Sequence, residues 1–150
     1  MNDITIFASL FRKAIEAARD DGRFDGDQMF RRFPTACCGI TSELLARYLL
    51  DNGYNATYIC GTCRKNNIHQ SHAWLEVDGV IVDITGDQFR NNEILLNNDI
   101  SIYVGSLNRF YNLFEIDIVD KCNNHYPLDD TQIRNHLSRR KLYEIIQDYI

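Results

Sequence analysis

Apolar positions along this chain switch between two periods, and the switches mark its elements. From residue 3 to 21, Ile4, Phe7, Phe11, Ala14, Ile15 and Ala18 recur every three or four places. That spacing predicts an amphipathic helix, capped by Asn2 or Asp3 and ended by Gly22. Arg23 to Ala36 is dense in aromatics among charges (Phe24, Met29, Phe30, Phe33), as for a loop folded back over a core with a short helical turn near Asp27. A second helical pattern starts at Cys37 or Cys38. Ile40, Leu44, Leu45, Tyr48 and Leu49 share one stripe, and Asn52-Gly53 is its stop. The period then shortens to two. Tyr54 to Cys60 reads as a strand, and Gly61 to Gln70 as a polar loop.

Asp78-Gly79 lies between two alternating runs, His72 to Val77 and Val80 to Ile84, which is a strong signal for a two-residue hairpin. With those residues as the loop, Val77 faces Val80, Glu76 faces Ile81 and Trp74 faces Asp83. Ala73, Leu75, Val77, Val80, Val82 and Ile84 then form one apolar face. His72, Trp74 and Asp83 fall on the other, and His72 becomes the diagonal neighbour of Asp83. A slip of one residue would part them. Ile100 to Val104 reads as a further strand. Residues 106 to 128 take no clear pattern, but their aromatics exclude a free linker. The tail reads as a helix from Asp129 or Asp130 onward, with Ile133, Leu137, Leu142, Ile145, Ile146 and Tyr149 on its apolar face.

Composition narrows the classes. At 150 residues a single domain spanning 1–150 is expected, long enough to bury a core. A net charge of -5 argues against a nucleic-acid surface, and no apolar run approaches a membrane span. The start, Met1-Asn2-Asp3-Ile4, lacks the basic flank and apolar block of a signal peptide. Five cysteines, an odd number, then read as reduced thiols in a cytoplasmic setting, with delivery by a specialised secretion route left open. No cofactor is called for. The expected partner is a protein or peptide substrate, and the oligomeric state is left open.

Candidate chemistry centres on the second helix. A thiol in a first helical turn meets unpaired backbone N–H groups and a positive dipole end, which favour thiolate. His72 can move a proton and Asp83 can orient the imidazole. Nucleophile, base and orienter thus follow in chain order. Cys38 is favoured over Cys37, because it shares the stripe of Leu45 and Leu49 and directly precedes Gly39. Small Ser71 and Ala73 leave room around His72, and Trp74 is a candidate wall of a cleft.

Cys38-Gly39 at a helix start, His72-Ala73-Trp74 on a strand and Val82-Asp83-Ile84-Thr85 on its partner resemble the papain-like superfamily of cysteine proteases, its transglutaminase-like branch most closely. The resemblance covers roughly residues 33 to 90. It implies an α+β fold, with central N-terminal helices on a small antiparallel sheet, and a triad of Cys38, His72 and Asp83. It further implies a thiol hydrolase or acyltransferase: a peptidase or amidase first, a glutamine-directed transglutaminase or deamidase as the alternative. Two features depart from the family: Gly39 stands where a tryptophan follows the nucleophile, and no clear glutamine sits just before the thiol. Gln28 and Gln88 are candidates for that place.

Two rivals remain. Cys60, Cys63 and His69, with His72, have zinc-ligand chemistry in a C-x2-C-x5-H-x2-H spacing, and Cys122-x2-His125 would be a second half-site of a zinc-stabilised interaction module. A binding module that keeps the frame without turnover is the other.

Overall fold

The computed structural model describes residues 3–121, 128, 130–131 and 133–150. The chain is α+β, with three α-helices and a five-stranded antiparallel sheet. Helix α1 spans Asp3–Asp20 and buries Ala8, Phe11, Ala14, Ile15 and Ala18, the stripe its period predicts. Gly22 follows at φ 77°, a left-handed turn that a side chain resists. Phe24, Phe30 and Phe33 then fold back over the core. A 3-10 turn at Phe30–Arg32 is held by Asp27, whose Oδ1 accepts from the Met29 and Phe30 N–H groups at 3.0 and 2.8 Å.

Helix α2 spans Cys38–Asp51 with Cys37 at its N-cap position. Leu44, Leu45, Tyr48 and Leu49 are buried. Each leucine buried this fully is worth about 1.5–3 kcal/mol in apolar transfer, which holds the helix against the sheet and fixes where its first turn points.

Strands β1 (Thr57–Lys65), β2 (Ile68–Val77), β3 (Val80–Asp83), β4 (Tyr103–Gly105) and β5 (Glu115–Lys121) lie in the order β4-β3-β2-β1-β5. The β2–β3 register pairs Val77 with Val80, Glu76 with Ile81 and Leu75 with Val82, as the Asp78-Gly79 loop requires. Both loop residues have positive φ, 50° and 82°, the conformation of a type I′ turn.

Three expectations are corrected. Gly61 to Gln70 is not a loop. It is the outer half of a second hairpin, closed by Asn66 and Asn67 at φ 54° and 62°. Its tip is in solvent on both faces, so it carries no apolar alternation to read. Residues 106 to 128 contain a 3-10 turn at Tyr111–Leu113 and the edge strand β5. The tail helix, α3, starts only at Arg139 and ends at Gln147. Ser138 accepts from the Lys141 N–H and caps it, while Asn135 at φ 67° breaks any earlier start and leaves Ile133 65% exposed. The expected cap Asp129 lies outside the described residues.

The sheet separates two apolar clusters. One holds the helices with Leu75, Val77, Val82 and Ile84. The other, on the opposite face, holds Ile59, Cys63, Trp74, Ile81, Phe89, Leu95, Phe110, Tyr111 and Phe114.

Candidate active site

Strand alternation sends His72 and Asp83 to the face of the second cluster. There His72 Nε2 lies 2.7 Å from Asp83 Oδ2, and both side chains are buried. Asp83 is held from two further sides. Its Oδ1 accepts from the Thr85 N–H at 3.0 Å and its Oδ2 from the Tyr111 hydroxyl at 2.8 Å. Five aromatic rings surround the imidazole, with centroids 5.1 to 6.5 Å away: Trp74, Phe89, Phe110, Tyr111 and Phe114.

With Nε2 turned to Asp83, Nδ1 is the nitrogen left to meet a thiol, and it has no hydrogen-bond partner among the described residues. Cys38 is the thiol that His72 influences. Burial works against its thiolate, but the polar and ionic pull of His72 and a backbone hydrogen bond from Ala73 outweigh burial and lower the thiol pKa. Burial also disfavours a charged imidazole. The Asp83 charge and hydrogen bond, with the pull of Cys38, overcome it and raise His72 to about 9. Asp83 is lowered: burial opposes its charge, and His72, Thr85 and Tyr111 reverse that effect. The three groups therefore favour thiolate, imidazolium and carboxylate together.

Cys37 behaves differently. It is fully buried, with Sγ 3.2 Å from the carbonyl oxygens of Met29 and Thr35, so its S–H donates to backbone. Burial first, then the charges of Asp27 and Cys38, push its pKa up to about 12. One residue of helical rotation separates a thiol held protonated from one drawn toward thiolate.

The other predicted residues scatter. Trp74 lines a cavity of about 200 Å³ with Ile59, Ile81 and Leu107, on the aromatic side of the sheet. It is 2% exposed and packed between Tyr111 and Phe114. Ser71 and Ala73 leave no void at His72, because the aromatic rings fill it. Gln88 bridges two loops: its Oε1 accepts from the Ala36 N–H at 3.2 Å, and its Nε2 donates to the Thr85 carbonyl at 3.1 Å. Gln28 is exposed, and its N–H donates to the Asn135 carbonyl, away from this group. Cys60 and Cys63, three apart on one strand, face opposite sides of the sheet, and His69 is exposed near the hairpin tip. They cannot share an ion, and no cluster of three or more ligand side chains occurs among the described residues. Cys122 and His125 lie outside those residues.

Sequence reasoning missed Tyr111, Thr85 and the pair beneath them. Arg12 donates to both Asp87 oxygens at 2.8 Å and to the Ile84 carbonyl at 2.7 Å, all buried, which pins the chain just after Asp83 to α1. The signal for Tyr111 was the aromatic density at 110–114. The signal for Arg12 was a charge on the apolar face of α1.

No family model matches this chain, and no curated protein and no solved structure is detectably similar to it.

Proposed function

We propose that the protein is a cysteine-dependent hydrolase or acyltransferase of papain-like, transglutaminase-like design, acting on an amide of a protein or peptide. One observation carries the reading: a helix-start thiol, lowered by an imidazole whose far nitrogen is held 2.7 Å from a buried carboxylate. A lone buried histidine would be satisfied by any acceptor. Here Nε2 alone is satisfied and Nδ1 is left for sulfur.

In the first step the Cys38 thiolate attacks the amide carbonyl carbon. The oxyanion forms near the first-turn N–H groups of α2, which have no acceptor inside the helix. His72 passes its Nδ1 proton to the leaving amine, the C–N bond breaks and a thioester remains. In the second step neutral His72 takes a proton from water or an acceptor amine, which attacks the thioester and releases the thiolate. Asp83 keeps the imidazole in one tautomer throughout. Cys37, held protonated, takes no part.

The test is alkylation of each cysteine by iodoacetamide between about pH 5 and 9, read by mass spectrometry. Cys38 is expected to react at least about tenfold faster than Cys37 or Cys60 at the acid end, and His72→Ala to abolish the difference. Equal, ordinary reactivity at all cysteines would overturn the proposal. Chelators are expected to change nothing.

A further inference from the structure

A cavity of about 450 Å³ lies beside the loop that leads into Cys38. Pro34 and Thr35 form one wall, Gln88 and Arg90 another, and Arg12, Glu16 and Arg19 of α1 the floor. Thr35 is three residues from Cys38, so their Cα atoms are at most about 11 Å apart. Gln88 ties this wall to Ala36, which keeps cavity and thiol in fixed relation.

Its charges are unlike those of the molecule. The chain carries -5 overall, yet three arginines face two acids here. Both acids are already engaged. Asp87 is 1% exposed, with both oxygens on Arg12 and one also on Arg90. Glu16 accepts from Arg12 Nε at 3.1 Å. The guanidinium groups that meet solvent are Arg90, 60% exposed, and Arg19, 30% exposed. Arg19 also pairs with Asp20 at 3.1 Å, but that carboxylate is 69% exposed, and so solvent-screened a pair is worth little and can be displaced by an entering anion. Such an anion meets two solvent-facing guanidinium groups, with Thr35 and Asn91 as further donors.

We propose that this cleft is a substrate subsite for an acidic side chain, a carboxylate carried by the peptide one or two residues from the amide that Cys38 attacks. The inference rests on the proposed thiol chemistry and adds a specificity to it. Arg90 and Arg19 hold the carboxylate. Arg12, fully committed to Asp87, Glu16 and the Ile84 carbonyl, does not.

The test uses two alkylating peptides blocked as C-terminal amides, N-iodoacetyl-Gly-Glu-amide and N-iodoacetyl-Gly-Gln-amide, so that only the side chain differs in charge, with modification of Cys38 followed against probe concentration. The glutamate probe spans about 10 Å from the reacting carbon to its carboxylate, the reach required. It is expected to saturate at a concentration about fivefold or more below the glutamine probe, and the preference to fall away in strong salt. Each comparison is a ratio between probes within one variant, so a change in thiol reactivity cancels. The ratio is expected to drop toward one in Arg90→Ala and in Arg19→Ala, and to stay at its wild-type value in Arg64→Ala, an exposed arginine on β1. Rapid alkylation of Cys38 without discrimination between the probes, or discrimination that survives both arginine variants, overturns the subsite alone. Slow alkylation by both probes overturns the thiol chemistry and the subsite with it.

Discussion

At the scale of single residues, the carboxylate of Asp83 is held from three sides. Its oxygens answer to His72, Thr85 and Tyr111 at once. Removing the tyrosine hydroxyl in Tyr111→Phe takes away a hydrogen bond to a buried charge, a loss of about 1.5–3 kcal/mol. Asp83 is lowered in the fold, so its contribution to stability is present above its ordinary value of 3.8 and is lost as pH falls through the folded value. Weakening that lowering in Tyr111→Phe moves the onset of acid unfolding to higher pH, which Trp74 fluorescence would follow. His72 has the opposite sign. Its pKa is raised, so its contribution is complete below its ordinary 6.5 and is lost as pH rises through about 9. The proposed thiol chemistry needs thiolate and imidazolium together. The rate on a peptide amide is expected to rise as Cys38 ionises, below the ordinary thiol range, and to fall through about pH 9. A profile that keeps rising beyond that pH would show that His72 gives no proton.

At the scale of elements, two joints hold the site. The first is the Arg12–Asp87 pair between α1 and the turn after β3. Breaking it from one side leaves Asp87 with only the exposed Arg90 in Arg12→Met, or Arg12 with only Glu16 in Asp87→Asn, and is expected to cost about 3 kcal/mol in urea melts. Replacing both residues with apolar ones should cost less than either single change. The second joint is the bulge where β1 meets β5, between Cys60 and Gly61. A Cβ on Gly61 would come within 2.9 Å of the Glu115 carbonyl oxygen and of Phe114 Cβ. Gly61→Ala is therefore expected to destabilise by about 1–3 kcal/mol. It would also push Phe114 against the ring of His72, which a changed Cys38 alkylation rate would report. The hairpin at Asp78-Gly79 was legible beforehand, because one dipeptide sets both turn and register. The hairpin at Asn66-Asn67 was not, because its strands leave the core and lose their alternation.

At the scale of the whole molecule, one sheet serves two clusters. Leu75, Val77 and Val82 face the helices while Trp74 and Ile81 face the aromatic layer, so neither cluster has a sheet of its own. Urea unfolding followed by the single tryptophan, Trp74, and by helical ellipticity should give coincident transitions. Separate midpoints would mean that the aromatic layer opens first. Deleting α3 removes Leu142, Ile145 and Ile146 from the helical cluster and is expected to abolish folding.

The sequence by itself determined the local matters. Periods of three to four and of two placed α1, α2 and the β2–β3 hairpin. The hairpin's register put His72 beside Asp83 before any contact was known, because the Asp78-Gly79 turn fixes the pairing and the side-chain period then puts both on one face. Helix spacing and the following glycine favoured Cys38, but they could not show what each cysteine touches. Only the tertiary structure decided that Cys37 is held by two backbone carbonyls, that Tyr111 reaches back across 28 residues to Asp83, and that Trp74 is interior. It also decided that Arg12, 75 residues before Asp87, anchors the turn after Asp83. These are contacts between segments distant in the chain, set by which faces the core buries, and no local pattern of residues encodes them.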